Sequence, residues 1–154
     1  KALLEFGAMR AREGARMYDD ISARCLEIGR MVNDIAARAP QLVAEYRERI
    51  TQRIREILDG VQPDEARLLT EAALFADRTA IDEELVRLKS HLAQMEDMLR
   101  DDAPVGRKLD FLVQELNRET NTIGSKANDL TITRTVVDMK AEIEKIREQV
   151  QNIE

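Results

Sequence analysis

"ITRTVVDMKAEIEKIREQVQNIE", residues 132–154, places apolar side chains at Ile132, Val136, Met139, Ile143, Ile146, Val150 and Ile153. The spacing alternates four and three without a slip. That is the a/d seam of a helix lying along another helix, held for about three heptads. A half-buried strand would alternate every second residue. The longest stretch with any strand character is the β-branched run at 131–137. The tail therefore reads as helix, and its seam demands a helical partner.

Working back, "GRKLDFLVQELNRETNTIGSKANDL" (106–130) is also helical by period. At 100° per residue, Leu109, Leu112, Val113, Leu116, Ile123, Ala127 and Leu130 share one face. Its polar positions are unusual. A solvated helix face is normally Lys and Glu, but here it holds Asp110, Gln114, Asn117, Arg118, Asn121, Thr122, Ser125 and Asn128. Asn, Ser and Thr are mediocre helix formers, because their side chains compete for backbone hydrogen bonds. Such positions suggest recognition rather than solvation.

The rest of the chain is punctuated by its three prolines, Pro40, Pro63 and Pro104. A proline is costly inside a helix, so each is expected between helices. The spacing predicts helices at 2–38 and 41–59, with Gly60 as a stop. A third helix opens at Asp64 and breaks near 77–82, where Thr79 or Asp82 offers a new N-cap. A fourth, about 83–100, carries Leu85, Leu88, Leu92, Met95 and Leu99. A turn at 101–104 then sends 105–130 back antiparallel. The expected organisation is one all-helical unit, 1–154. It comprises an arm at 1–59, central helices at 64–100, a polar return helix at 105–130 and the heptad tail at 131–154. The fold class is all-α, with long helices packed as antiparallel hairpins or coiled-coil arms. A helix of 2–38 alone would be about 55 Å long, so the shape is expected to be extended.

Totals narrow the function classes. No run approaches the roughly 20 apolar residues that span a bilayer, and no basic, apolar secretory leader is visible. Cys25 is the only cysteine. That excludes an internal disulfide framework and fits a reducing cytoplasm. The first residue is Lys rather than Met, as in a segment of a longer chain. The net charge of −6 argues against indiscriminate nucleic-acid binding. Lys and Arg against Asp and Glu stand at 11 to 10 in residues 1–59, 5 to 11 in 60–102 and 8 to 9 in 103–154. A polyanion would need arginines gathered by folding or assembly.

His91 is the sole histidine, and shares a helix flank with Glu84 and Arg87. A structural zinc site is excluded for want of further ligands. Two readings stand: a half-buried histidine beside the core, or a general acid/base. If the hairpin turns near 102–103, His91 lies beside Gln114, Arg87 beside Arg118, and Glu84 near Asn121 and Arg118. A functional cluster and a structural clamp are both compatible with that pairing. The acidic pairs Asp19-Asp20, Glu83-Glu84 and Asp101-Asp102 are either solvated or Mg²⁺/Mn²⁺ sites. Arg10, Arg12 and Arg16 are either a phosphate contact or a charged helix face. No phosphate loop, nucleophile elbow or dinucleotide motif occurs.

The stretches "MRAREGARMYDDI" (9–21), "IDEELVRLKSHLAQM" (81–95), "VGRKLDFLVQELNRETNTIGSKANDL" (105–130) and "KAEIEKIREQVQNIE" (140–154) are long and occur in a fixed order. In them the chain resembles the C-terminal part of the YicC/YloC-like family of bacterial endoribonucleases. Met95 stands where an aromatic is common. Family members are about twice this length and carry an N-terminal domain that this chain lacks. The resemblance implies a cytoplasmic endoribonuclease acting on RNA as a ring-like homo-oligomer, a hexamer. It implies assistance from a divalent metal, Mn or Mg, with no small-molecule cofactor and no membrane partner. Carried over by motif, the candidates are Glu13, Glu84, Arg87, His91, Asp110, Gln114, Glu115, Asn117, Arg118, Glu119, Asn121, Ser125 and Lys126. By their chemistry, His91, Glu84, Asp110, Glu115 and Glu119 are the expected catalytic groups, with Glu84, Glu115 and Glu119 as metal ligands. Arg10, Arg12, Arg87, Arg118, Gln114, Asn117, Asn121, Ser125 and Lys126 are the expected RNA contacts. The competing class is a non-catalytic RNA-binding or adaptor coiled-coil protein.

Overall fold

A computed structural model describes the backbone of residues 2–100 and 105–152, and side chains from residue 12 onward. The turn expected at 101–104, the side chain of Arg10 and the last seam residue, Ile153, lie outside the described residues. Five helices follow one another: α1 (Ala2–Ile57), α2 (Glu65–Arg78), α3 (Asp82–Leu99), α4 (Gly106–Lys126) and α5 (Leu130–Gln151). No strand occurs among the described residues. The class is all-α.

Helices α1, α3, α4 and α5 form a four-helix bundle in which α1 touches α3 and α5, and α4 touches the same two. Cross-helix pairs fix the directions. Cys25 meets Met95, Arg24 meets Glu142, Arg38 meets Asp129, Thr120 meets Met139 and Glu84 meets Lys126. Where two contacts join the same helices (Arg24–Glu142 with Arg38–Asp129, Glu84–Lys126 with Arg87–Glu119, and Thr120–Met139 with Gly124–Val136), one number rises as the other falls, so these neighbours run antiparallel, and α1 and α3 follow. The fold rests on one repeated signal. Ile21, Cys25, Ile28, Val32, Ile35 and Leu42 of α1 are buried at four–three spacing. So are Ile81, Leu85, Leu88, Leu92 and Met95 at α3, and Ile132, Val136, Met139, Ile143, Ile146 and Val150 of α5. The α5 seam is therefore consumed inside the chain, against α4 and α1. In α4 the same rhythm runs Leu109, Val113, Leu116, Thr120, Ile123 and Ala127. Thr120 is the one polar member, and its hydroxyl donates to the Met139 sulfur at 3.3 Å.

Three expectations change. Pro40 does not separate two helices: α1 runs through it for 56 residues, about 84 Å at 1.5 Å per residue. Pro40 is exposed, while Ile35 and Leu42, one heptad apart, stay in the core on either side. Continuous burial outweighs the lost backbone hydrogen bond. Arg38 also spans the proline, bonding Gln41 and Glu45 in the following turn. At the start of α3 the cap position is Ile81, with no side-chain capping bond. Burial of Ile81 fixes the chain entry, and Asp82, Glu83 and Glu84 meet the helix dipole instead of a cap. Leu130 leaves the apolar face of α4 and is 65% exposed, because α4 ends at Lys126. Asp129 starts a new helix there by accepting from the Ile132 N–H at 2.9 Å.

Other expectations hold. Asp64 caps α2 by accepting from Ala66 N. Gly60 adopts φ +89 just past α1, in the left-handed region that favours glycine. α2 folds back on α1, where Phe75 stacks on Tyr46 at 3.9 Å between ring centroids. No helix among the described residues is long and apolar enough to cross a membrane.

Candidate functional site

The hairpin of α3 and α4 brings the sole histidine to two glutamates. One ligand atom each from His91, Glu115 and Glu119 lies within 4.8 Å of the others. The helical period explains why these three meet. Glu84, Arg87 and His91 fall on the flank of α3 beside the Leu85–Leu88–Leu92 seam. Glu115, Glu119 and Lys126 fall on the flank of α4 that faces them. Arg87 Nη1 stands 3.5 Å from Glu119 Oε1 and its Nη2 donates to Glu83 at 2.9 Å. Lys126 Nζ donates to Glu84 Oε1 at 2.7 Å. Arg118, on the exposed crest of α4, reaches Glu115 at 3.4 Å.

This pairing differs from the expected one. His91 meets Glu115 and Glu119 rather than Gln114, Arg87 meets Glu119 rather than Arg118, and Glu84 meets Lys126 rather than Asn121. Gln114 is one residue and thus 100° away from Glu115, so it points to the other flank. The structure brings Glu115 and Glu119 together with His91, and places Glu84 against Lys126 instead.

The burial of these groups is the informative part. Glu119 is 2% exposed and Glu84 5% exposed. An ionised carboxylate in such surroundings costs several kcal/mol unless it is paired and hydrogen-bonded. Burial pushes the Glu84 carboxyl up, but the Lys126 hydrogen bond and the nearby charges of Lys126 and Arg87 outweigh it, leaving it below the usual range. Among the described residues, the cation nearest Glu119 is Arg87, at 3.5 Å, and its other neighbours in the cluster are His91 and Glu115. Two buried atoms of this seam have no hydrogen-bond partner in the structure, His91 Nδ1 and Glu84 Oε2. One imidazole, whose Nδ1 has no hydrogen-bond partner, and two carboxylates suit a divalent cation that accepts mixed oxygen and nitrogen donors.

The remaining expected residues lie elsewhere. Asp110, Gln114, Asn117, Arg118 and Asn121 line a groove between α4 and α5. Ser125 is exposed and donates to the Thr122 carbonyl at 2.9 Å. Glu13 borders a hollow where α1 passes Leu99 and Val105. Arg12 is exposed on α1, about 20 Å of helix rise before Cys25, the residue at the height of Met95. The groove also contains Arg147 and Gln151 of α5, which no sequence signal singled out. Cys25 is inert: burial, with a lesser contribution from Glu96, pushes its thiol up to about 12.

A family model described as "Endoribonuclease YicC-like, C-terminal" matches residues 35–154. A protein of Clostridioides difficile named probable endoribonuclease YicC is 47% identical over 154 residues, which is 99% of this chain and 53% of that protein. One of the same name from Haemophilus influenzae is 40% identical over 152 residues, 99% of this chain and 52% of that protein. The chain thus spans about half the length of the curated relatives it matches.

Proposed function

Because the chain belongs to the family of YicC-like endoribonuclease C-terminal domains, we propose that it serves RNA phosphodiester cleavage, with the reaction at the α3–α4 face. The observation that carries this reading is the convergence of His91, Glu115 and Glu119, with Glu119 deeply buried and His91 Nδ1 without a hydrogen-bond partner. In this proposal those three residues hold a divalent ion, Mn²⁺ or Mg²⁺. When bound, such an ion supplies charge stabilisation on the phosphoryl oxygens and makes an attacking water more acidic.

The chain's own residues provide the rest. Arg87, beside Glu119, and Arg118, beside Glu115, offset negative charge that develops on the phosphate. Lys126 is held by Glu84, so this pair fixes the end of the hairpin about two helical turns from the cluster. His91 replaces Glu84 in the proposed ligand set, since Glu84 is already committed to Lys126. The cations near the cluster are few and each has an acidic neighbour. We include assembly in the proposal for that reason: a homo-oligomer, a hexamer, gathers arginines from several copies around one RNA in the cytoplasm.

The test uses the intact protein purified from a strain lacking the major nucleases. His91→Ala, Glu115→Gln and Glu119→Gln are each expected to cut RNA cleavage at least about tenfold, or about 1.4 kcal/mol of transition-state stabilisation. EDTA should do the same, and Mn²⁺ should restore the rate. Unchanged cleavage in all three variants removes the α3–α4 face from the reaction. RNA binding with no cleavage by the unaltered protein instead establishes the adaptor reading.

A further inference from the structure

α4 carries a second polar flank that the cleavage chemistry does not use. Asp110, Gln114, Asn117 and Asn121 recur at helical spacing on the side turned away from His91, and with Arg118 and Arg147 they line a groove of about 750 Å³. That volume lies within the range of about 300–1,000 Å³ typical of small-ligand clefts. Asn is a mediocre helix former, so placing two here, one turn apart, works against the helix. Packing does not explain them either, since Asn121 is exposed and Asn117 only half-buried.

The hydrogen bonding of the flank is half-finished in an orderly way. Gln114 Nε2 donates to Asp110 Oδ2 at 3.0 Å. This fixes the amide and leaves its oxygen as an oriented acceptor. The side chains of Asn117 and Asn121 have no hydrogen-bond partner among the described residues. Each therefore offers a donor and an acceptor side by side. That pattern matches the edge of a nucleobase, where an Asn or Gln amide bonds in bidentate fashion. It matches a phosphate track poorly, because the groove holds only two cations and one carboxylate. An apolar partner helix is equally ill-suited, as Val113 is the only hydrophobic residue in the lining.

Arg118 joins this groove to the cluster. It lines the groove and also reaches Glu115 at 3.4 Å. A strand crossing the crest of α4 thus meets both flanks, which are separated by about one helix diameter, roughly 10 Å. We propose that the α4–α5 groove is a nucleobase-recognition subsite, in which Asn117 and Asn121 read the edge of an unpaired RNA base close to the cleavage position. Single-stranded RNA exposes those edges and duplex RNA does not. The inference rests on RNA being the substrate of the neighbouring face, but not on that face being catalytic.

The test is binding without turnover. The intact protein carrying Glu115→Gln is titrated against labelled single-stranded octamers of A, C or U, followed by fluorescence anisotropy. The best and worst octamers should differ at least about tenfold in affinity, the scale of one bidentate amide–base contact. Adding Asn117→Ala and Asn121→Ala should shrink that ratio to below about threefold. Affinity for the worst octamer and the thermal midpoint should stay unchanged. Equal affinity for all octamers in the parent, or discrimination that survives both substitutions, overturns the proposal. So does a change in solution mass on substitution, which makes the flank a protein interface. If the unaltered protein fails to cleave RNA yet discriminates through these asparagines, the cleavage reading falls and this one stands.

Discussion

Two seams of the bundle carry polar pairs between helices, and they are built to different standards. Where α1 meets α5, Arg24 donates to Glu142 at 2.9 Å and to both oxygens of Asp20 at 3.0 Å. Further along, Arg38 donates to Asp129 at 2.8 Å and also to Glu45. One buried nitrogen, Arg38 Nε, lacks a partner there. Where α3 meets α4, the burial is deeper and the contacts are uneven, with Lys126 donating to Glu84 at 2.7 Å. Arg87 stops 3.5 Å from a carboxylate that is 2% exposed, and both His91 Nδ1 and Glu84 Oε2 are unpartnered. A clamp satisfies its charges. A site keeps some of them unsatisfied for a ligand, and loses stability by doing so. The contrast fits the proposal made above, in which the first seam holds the bundle and the second carries the chemistry.

Breaking the core beneath both seams should give the largest effect. Ile143 and Ile146 are fully buried on α5. An unpaired buried charge costs several kcal/mol, and a domain of this size has about 5–15 kcal/mol in total. Ile143→Asp with Ile146→Asp should abolish folding rather than merely dissociate copies, because the heptad seam is used within the chain. Circular dichroism should show no cooperative melt. A preserved transition would mean that α5 is dispensable to the bundle.

Substituting one acid from each seam sharpens the contrast. Asp129→Ala removes an N-cap and a partner of Arg38, and should cost about 1–3 kcal/mol. At about 2–4 °C per kcal/mol, the drop is measurable by calorimetry, while RNA cleavage per folded molecule stays intact. Glu119→Gln should do the opposite. The amide keeps the shape of the side chain without the cost of burying a charge, and Arg87, half exposed, stays solvated without its partner, so the midpoint should hold or rise while cleavage falls. A lower midpoint for Glu119→Gln would make the α3–α4 seam a clamp as well.

Much of this was legible in the sequence, and the failures are physical. The tail, α3 and α4 announced themselves through four–three spacing, which survives any local propensity. Pro40 misled because a local cost was weighed without the burial of Ile35 and Leu42 around it. The residues that meet at the candidate site were already singled out, His91 as the sole histidine and Glu115 and Glu119 through the family resemblance. Their pairing was not. A small error in where the hairpin turns slides each partner along α4, and one residue rotates it by 100°. That is the whole difference between Glu115, which meets His91, and Gln114, which faces the opposite groove. Arg147 and Gln151 were invisible for another reason. In sequence they are ordinary surface residues of α5, and only the groove across from Asn117 and Asn121 gives them meaning.

The smallest predicted effect concerns acid. Asp129 sits below the usual carboxylate range, chiefly because Arg38 hydrogen-bonds it, with burial opposing and the Ile132 N–H assisting. Glu142 is lowered by Lys145 first, against burial, and then by Arg24. A carboxyl whose folded pKa is depressed binds its proton less readily when folded. Its contribution is therefore fully present above the unfolded value, about 3.9 for Asp and 4.3 for Glu, and is lost as the pH falls through the folded value. The urea midpoint of the unaltered protein should be flat between about pH 5 and 7 as far as these groups are concerned, then decline below about pH 4. Arg38→Ala releases Asp129 toward its ordinary value. The stability gap between the two proteins should accordingly be constant above about pH 5 and should close below about pH 4. A gap that persists unchanged to about pH 3 would show that Arg38 holds α1 to α5 by packing rather than by charge, and the contrast between the seams would lose one of its two clamps.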